Sequence, residues 1–196
     1  MNKNLPPKHL SKLILTAVIP FILLSGRVLA QQSKTDSTKM NPAAAPSVSI
    51  PKTYPRAVGY LSFIVPVVTL DKDATTWNFN GTTKIGFPVG VNVLYSDHFG
   101  FSYEFTPTIT ATRTSSKMSN LLFDPGTMFR FDHGFTFISR LAFETSGRYG
   151  FTPVFNQVYA RTKYVNYFIA GSLPARFGNG APASIGFNVQ FGFTFN

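Results

Sequence analysis

The feature that most constrains this chain is the alternation at residues 183–196. From Ile185 the odd positions are Ile185, Phe187, Val189, Phe191, Phe193 and Phe195, and the even positions between them are Gly186, Asn188, Gln190, Gly192 and Thr194. Period two is the side-chain period of a β-strand and excludes a helix, whose apolar positions recur every three to four residues. One face is wholly apolar and the other small or polar. A row of side chains this large needs more core than a small antiparallel domain offers, and lipid is the alternative surrounding. Apolar-out, polar-in alternation ending in an aromatic is the pattern of a transmembrane β-barrel strand.

The other terminus points to the same compartment. Lys3, Lys8 and Lys12 precede the apolar run 13–24 and the small-residue boundary Val28-Leu29-Ala30, which is the layout of a secretory signal peptide over residues 1–30, with cleavage between Ala30 and Gln31. The apolar run is shorter than the roughly 20 residues a spanning helix needs. With no cysteine, the mature chain can carry neither a lipidated cysteine nor a disulfide. The net charge is +10, but Lys3, Lys8, Lys12 and Arg27 fall in the leader. The remaining cations are scattered without a basic, aromatic-interleaved run, so nucleic acid is not an expected partner. Residues 31–56, with Pro42, Pro46, Pro51 and Pro55 and almost no large apolar residue, have the composition of a disordered periplasmic arm.

From residue 57 to 196 the chain reads as strands. The second places Ile85, Phe87, Val89, Val91, Val93 and Tyr95 opposite Gly86, Gly90, Asn92 and Ser96; the third sets Phe99, Phe101, Tyr103 and Phe105 against Gly100, Ser102, Glu104 and Thr106. The fourth has Phe123, Thr127, Phe129 and Phe131 opposite Asp124, Gly126, Met128 and Arg130, and the fifth has Phe135, Phe137, Leu141 and Phe143 opposite Thr136, Arg140, Ala142 and Glu144. Strand six follows from Phe151. The phases of strand one, about 58–69, and strand seven, about 164–177, are not fixed by their sequences. The total is about eight strands, an even number as single-chain bacterial barrels have. Tight turns near 96–98, 132–134 and 161–163 alternate with connections expected at 70–83, 111–119, 145–150 and 178–182. Short turns face the periplasm in such barrels, which puts both termini there. Pro66, Pro88, Pro107, Pro125, Pro153 and Pro174 are expected toward the long-loop ends of strands, where a missing N–H is tolerated.

The leader, the arm and the alternating strands from Val58 to Phe195 together resemble the small eight-stranded outer-membrane β-barrel superfamily, in an aromatic and Gly-rich style similar to barrels of Bacteroidota. The resemblance implies an integral outer-membrane protein with outer-membrane lipid around it and the assembly machinery as its partner during insertion. It also implies an assembly signal of a polar residue, a glycine and spaced apolar residues, matched by Ser184, Gly186, Val189 and Phe191, with Phe195 closing a second, truncated register. Barrel enzymes of the superfamily, the lipid A palmitoyltransferases and omptin proteases, keep His and acidic groups at the outer rim. Here His9 lies in the leader and His98 and His133 in the predicted periplasmic turns, so no catalytic arrangement forms at that rim. No catalytic, cofactor or metal site is expected.

The remaining chemistry is an inward charge set of Glu104, Asp124, Arg130, Arg140 and Glu144, joined in one reading by Arg176. Charges in a narrow lumen must be paired, so the set is expected to form an interior ionic network. The leading expectation is a non-enzymatic barrel with a structural or surface-interaction role. A small channel is the first alternative, kept open by the lumen-facing glycines Gly86, Gly90, Gly100, Gly126, Gly186 and Gly192. A lipid-modifying enzyme is the second, and a soluble lipocalin-like barrel would need the opposite facing of the terminal strand.

Overall fold

The computed structural model describes residues 52–195. The leader, its cleavage between Ala30 and Gln31, and the arm up to residue 51 lie outside the described residues. The strands are β1 (Arg56–Asp71), β2 (Thr75–Trp77), β3 (Thr83–Gly86), β4 (Val89–Leu94), β5 (Phe99–Ala111), β6 (Ser116–Arg130), β7 (Phe135–Glu144), β8 (Tyr149–Arg161), β9 (Val165–Ser172), β10 (Ala175–Phe177) and β11 (Ser184–Phe195). β3 and β4 form one stave interrupted at Phe87-Pro88, and β9 and β10 another interrupted at Leu173-Pro174. Every stave pairs antiparallel with its sequence neighbours, and β11 pairs back onto β1 from Tyr60↔Thr194 to Asp71↔Ser184. This closes an eight-stave transmembrane β-barrel, with β2 a short ribbon laid along β1 through Val68↔Trp77. Closure gives each of the eight staves a neighbour on both sides.

Along β4, β5, β7 and β11 the alternation is preserved side chain by side chain. Val89, Val91, Tyr103, Phe105, Leu141, Phe143, Phe187 and Phe191 are exposed on the outside, while Gly90, Ser102, Glu104, Arg140, Gly186 and Gln190 are buried inside. The outer rings meet their cross-strand partners: Phe105 stacks on Phe123 at 4.7 Å and Phe137 lies 5.4 Å from Phe155, pairs of the kind that reinforce a sheet. An exterior this apolar all round exceeds the patches a soluble monomer exposes, and a hydrocarbon surrounding removes the conflict. Toward one end the interior carries an apolar layer built by Leu94, Met128, Ile138, Val154 and Phe168.

Several local expectations are corrected. The connection expected at 111–119 is mostly strand, because β5 runs to Ala111 and β6 starts at Ser116, leaving 112–115 as a tight turn. The facing of β1 was unreadable because a bulge between Pro66 and Val68 flips its phase. Tyr60, Ser62 and Ile64 point inward before the bulge, whereas Val68 pairs with outward Phe187 after it. Strand seven is broken by Pro174, with Phe168, Ala170 and Ser172 inward before the break and Arg176 inward after it. The prolines do not all sit toward the loop end: Pro88 and Pro125 lie mid-stave. The ladder is interrupted at Pro88 and Pro174, and between β6 and β7 it skips from Phe123↔Phe143 to Gly126↔Arg140 across Asp124-Pro125. Each proline lacks the donor the ladder needs there. Pro107 and Pro153 instead accept through their carbonyls, from the N–H groups of Phe87 and Leu173, both at 3.0 Å.

The turns 95–98, 131–134 and 162–164 lie at the end where β1 begins and β11 finishes; this is the turn end. In one of them His133 (φ 61°) and Gly134 (φ 85°) reverse the chain in the left-handed region, where glycine is unstrained. The opposite, loop end carries 72–82, 112–115, 145–148 and 178–183. Only the first of these is long.

Candidate functional site

The barrel interior converges on Glu104, which is 2% exposed. Its Oε2 accepts hydrogen bonds from Arg140 Nη1 at 2.8 Å and from the Tyr60 hydroxyl at 2.7 Å, while Oε1 accepts from Thr106 Oγ1 at 3.0 Å. Arg140 Nη2 donates to the Tyr60 hydroxyl at 2.9 Å and to Ser102 Oγ at 3.0 Å. Two glycines make the convergence possible. Arg140 on β7 pairs with Gly126, which pairs with Ser102, so the guanidinium crosses β6 over a position with no side chain. Tyr60 on β1 pairs with Gly90, which pairs with Glu104, so the phenol crosses β4 in the same way.

The glycines that kept a channel open in the sequence are therefore filled by their neighbours. A Cβ on Gly90 would meet the Tyr60 ring, one on Gly126 the Ser139 carbonyl and the Arg140 side chain, and one on Gly192 Ser62 and Phe168. Gly90→Val and Gly126→Val are each expected to destabilise the barrel by about 1–3 kcal/mol through overpacking, read as a lowered urea midpoint. Tolerance of both would mean that the lumen is loose at this level.

A second ion pair sits nearer the loop end. Arg176 Nε donates to Glu144 Oε1 at 2.8 Å, and Arg176 Nη1 donates to Thr152 Oγ1 at 3.0 Å. Arg148 Nη2 reaches the Pro182 carbonyl at 2.9 Å and tethers the 178–183 loop. Asp124 pairs in register with Glu104 and makes no ion pair; its Oδ1 has no partner among the described residues. Arg130 lies at the turn end, away from both ion pairs. Glu104 with Arg140, and Glu144 with Arg176, are thus brought together; Asp124 lies beside Glu104 without an ion pair, and Arg130 stands apart at the turn end. Tyr60 and Ser102 were missed in the sequence, although Tyr60 opposite a glycine two strands from an inward acid was the available signal.

The turn end opens into a cavity of about 610 Å³ that passes between the side chains of the apolar layer and reaches Tyr60 and Arg140. Its mouth carries Arg56, Arg130, Arg161, Asp97 and Asp132, and Lys52 from the segment before β1. That segment is clamped to the 95–98 turn: Lys52 Nζ and the Tyr54 hydroxyl both donate to Asp97 Oδ1, at 2.7 and 2.6 Å. The bond from Lys52, and then that from Tyr54, hold the Asp97 carboxyl below its ordinary value of 3.8, while the bond to Asp97 raises the Tyr54 phenol above 10.0. A lowered carboxylate stabilises the fold above its unfolded value and loses that contribution as pH falls through the lowered one; a raised phenol contributes below its unfolded value and loses it as pH rises through the raised one. The clamp is expected to hold between these limits and to release in acid below 3.8. Tyr54 ring shifts in a labelled sample should move together with the Asp97 titration, and Asp97→Asn should remove that transition.

The residues matched to the assembly signal, Ser184, Gly186, Val189, Phe191 and Phe195, all lie on β11, with Gly186 facing the lumen and Phe191 and Phe195 facing out. His98 and His133 are exposed at the turn end, where His98 Nδ1 lies 3.2 Å from the Arg130 carbonyl. Among the described residues no group of three His, Cys, Asp or Glu side chains is placed to hold a metal ion.

No protein-family model matches the chain. No curated protein sequence matches it either. Among solved structures, it is similar to a de novo designed transmembrane β-barrel, with 8% identity over 73% of this chain and 97% of that one and a TM-score of 0.43. It is also similar to the outer membrane protein OprG from Pseudomonas aeruginosa, with 8% identity over 71% and 93% and a TM-score of 0.38. The designed barrel TMB2.3 aligns at 13% identity over 71% and 94%, with a TM-score of 0.37. The fold assignment rests on the strand pairing itself, and no function passes from these likenesses.

Proposed function

We propose that the chain is an integral outer-membrane barrel that neither conducts like a porin nor catalyses a reaction, and that it works by binding or by supporting the envelope. The observation that carries this reading is the cross-lumen knot of Arg140, Glu104, Tyr60 and Ser102, which spans β7, β5 and β1. An eight-stranded barrel has an interior just wide enough for side chains to fill, and here long side chains lie across its glycine positions. The second ion pair at Arg176 and Glu144 occupies the lumen again toward the loop end.

The apolar exterior and the leader pattern support an outer-membrane location, and the short turns at the end shared by both barrel termini support a periplasmic turn end. The non-enzymatic reading is supported by the position of the histidines, which are absent from the loop-end segments 72–82, 112–115, 145–148 and 178–183. A hydrolase or acyltransferase at that rim would lack its usual general base. With 112–115 reduced to a turn, the surfaces left for recognition are the 72–82 loop, the N-terminal arm and the turn-end cavity.

The test is single-channel recording of the purified, folded barrel in planar bilayers. No stable conductance steps are expected. Large, long-lived steps from the folded wild-type protein would overturn the reading and promote a small channel.

A further inference from the structure

The turn-end cavity is built to hold a negative charge, and we propose that it is a binding site for a small hydrophilic anion carrying a carboxylate or phosphate group. Three arginines reach it from well-separated staves: Arg56 at the start of β1, Arg130 at the end of β6 and Arg161 at the end of β8. Arg161 faces the lumen because of a bulge. The register between β8 and β9 shifts between Val158 and Ala160, so that Arg161 pairs with lumen-facing Asn166 instead of continuing the phase that put Val154 and Val158 inward. A bulge that re-aims one side chain at a barrel rim is a recurrent device near functional sites.

The charges at the mouth do not cancel. Arg56, Arg130 and Arg161 make no ion pair among the described residues. Of the acids lining the cavity, Asp97 is taken by Lys52 and Tyr54, and Arg140 below is neutralised by Glu104. Asp132 is the remaining acid against three arginines. A cleft lined by one sign of charge between low-dielectric walls concentrates the field, and planar guanidinium groups match carboxylate and phosphate oxygens. The volume of about 610 Å³ lies within the usual range of small-ligand sites. The apolar layer forms its walls and the Arg140 knot its inner end, so the geometry describes a receptor pocket and not a passage.

This inference rests on the closed-barrel reading for its blind end, but its test is separate. The mature, full-length barrel, in nanodiscs of zwitterionic lipid so that no anionic headgroup competes, is titrated with inorganic phosphate in one arm and succinate in the other. Amide signals are followed by NMR. Saturable shifts at Arg56, Arg130 and Arg161 are expected in at least one arm, and the responding arm assigns the ligand class. Arg130→Gln should weaken binding about tenfold, the loss of one charge-assisted hydrogen bond. Arg56→Gln/Arg130→Gln/Arg161→Gln should abolish it, and added salt should weaken it. Arg113→Gln at the loop end should leave it unchanged. Unboiled gel mobility establishes that each variant is folded. Absence of saturable shifts in both arms with folded wild-type protein, or affinity that survives the triple replacement, overturns the proposal. Such a failure in a non-conducting barrel removes only the anion site, whereas conductance with intact anion binding removes only the closed barrel.

Discussion

Arg140→Met should cost the folded barrel about 3–5 kcal/mol, the usual penalty for removing one member of a buried ion pair. Arg140 is 4% exposed and gives three hydrogen bonds inside the lumen, to Glu104, Tyr60 and Ser102. Methionine fills similar space but leaves the Glu104 carboxylate with only the Tyr60 and Thr106 hydroxyls. The penalty comes from the stranded acid more than from the lost attraction. Glu104→Leu/Arg140→Met should therefore recover much of the stability, because replacing both partners by apolar side chains is often near neutral. Arg140→Lys keeps the charge but not the planar fork that serves Glu104 and Ser102 together, and should fall between wild type and Arg140→Met. Trp77, the one tryptophan, sits on β2 against β1 and supplies the fluorescence signal for urea unfolding from lipid vesicles. A double variant no more stable than Arg140→Met would contradict the stranded-acid account.

The second large effect is on the opposite face one residue away. Leu141 is 57% exposed and lies on the outside of β7 next to Arg140, three residues from the loop-end terminus of that strand. Leu141→Arg should cost about 2–4 kcal/mol, the range for a cation at the bilayer midplane. Phe193→Arg also introduces a cation on the outer face, but two residues from the end of β11, where the cost falls to about 0–1 kcal/mol near the interface. Thr194→Ser keeps the hydroxyl that accepts from Asn166 Nδ2 at 3.4 Å and should be nearly silent. The contrast is one of depth, so an equal loss from Leu141→Arg and Phe193→Arg would show that the outer face does not cross a hydrocarbon layer.

How much of this was legible in the sequence follows from where period two survives. Along β4, β5, β7 and β11 no extra residue shifts the phase, and each residue's face can be read by counting. On β1 and β8 a bulge changes the count by one residue, whereas the Pro174 break in the β9–β10 stave keeps the parity, with Phe168, Ala170, Ser172 and Arg176 all inward. A one-residue shift exchanges the two faces, and nothing in residues 58–69 marks where the shift occurs, while in 164–177 large apolar side chains fall on both parities, as Tyr167, Phe168 and Ile169 show. Tertiary pairing places the shift. The inward acids and arginines were legible as a set, but the partners were not. Register alone sets Glu104 beside Asp124, whereas the ion pair runs past β6 to Arg140 because Gly126 leaves the space. The glycines looked like gaps in a lumen; they are the positions that long side chains lie across. The 111–119 segment misled for a different reason. Its Thr, Ser and Lys residues have loop composition, yet they extend the β5–β6 hairpin to the 112–115 turn.

The central claim, that one face of each stave meets lipid while the other is packed inside a closed barrel, is tested most directly on β11. The chain has no cysteine, so single cysteines can be introduced and spin-labelled without background. Labels at Phe187, Val189 and Phe191 in reconstituted protein should collide readily with oxygen, which concentrates in the hydrocarbon, and rarely with a water-soluble nickel relaxant. Labels at Asn188 and Gln190 should collide rarely with both. Oxygen accessibility with a period of two residues in this phase is the predicted result; the opposite phase, or nickel accessibility along the odd-numbered series, would contradict it.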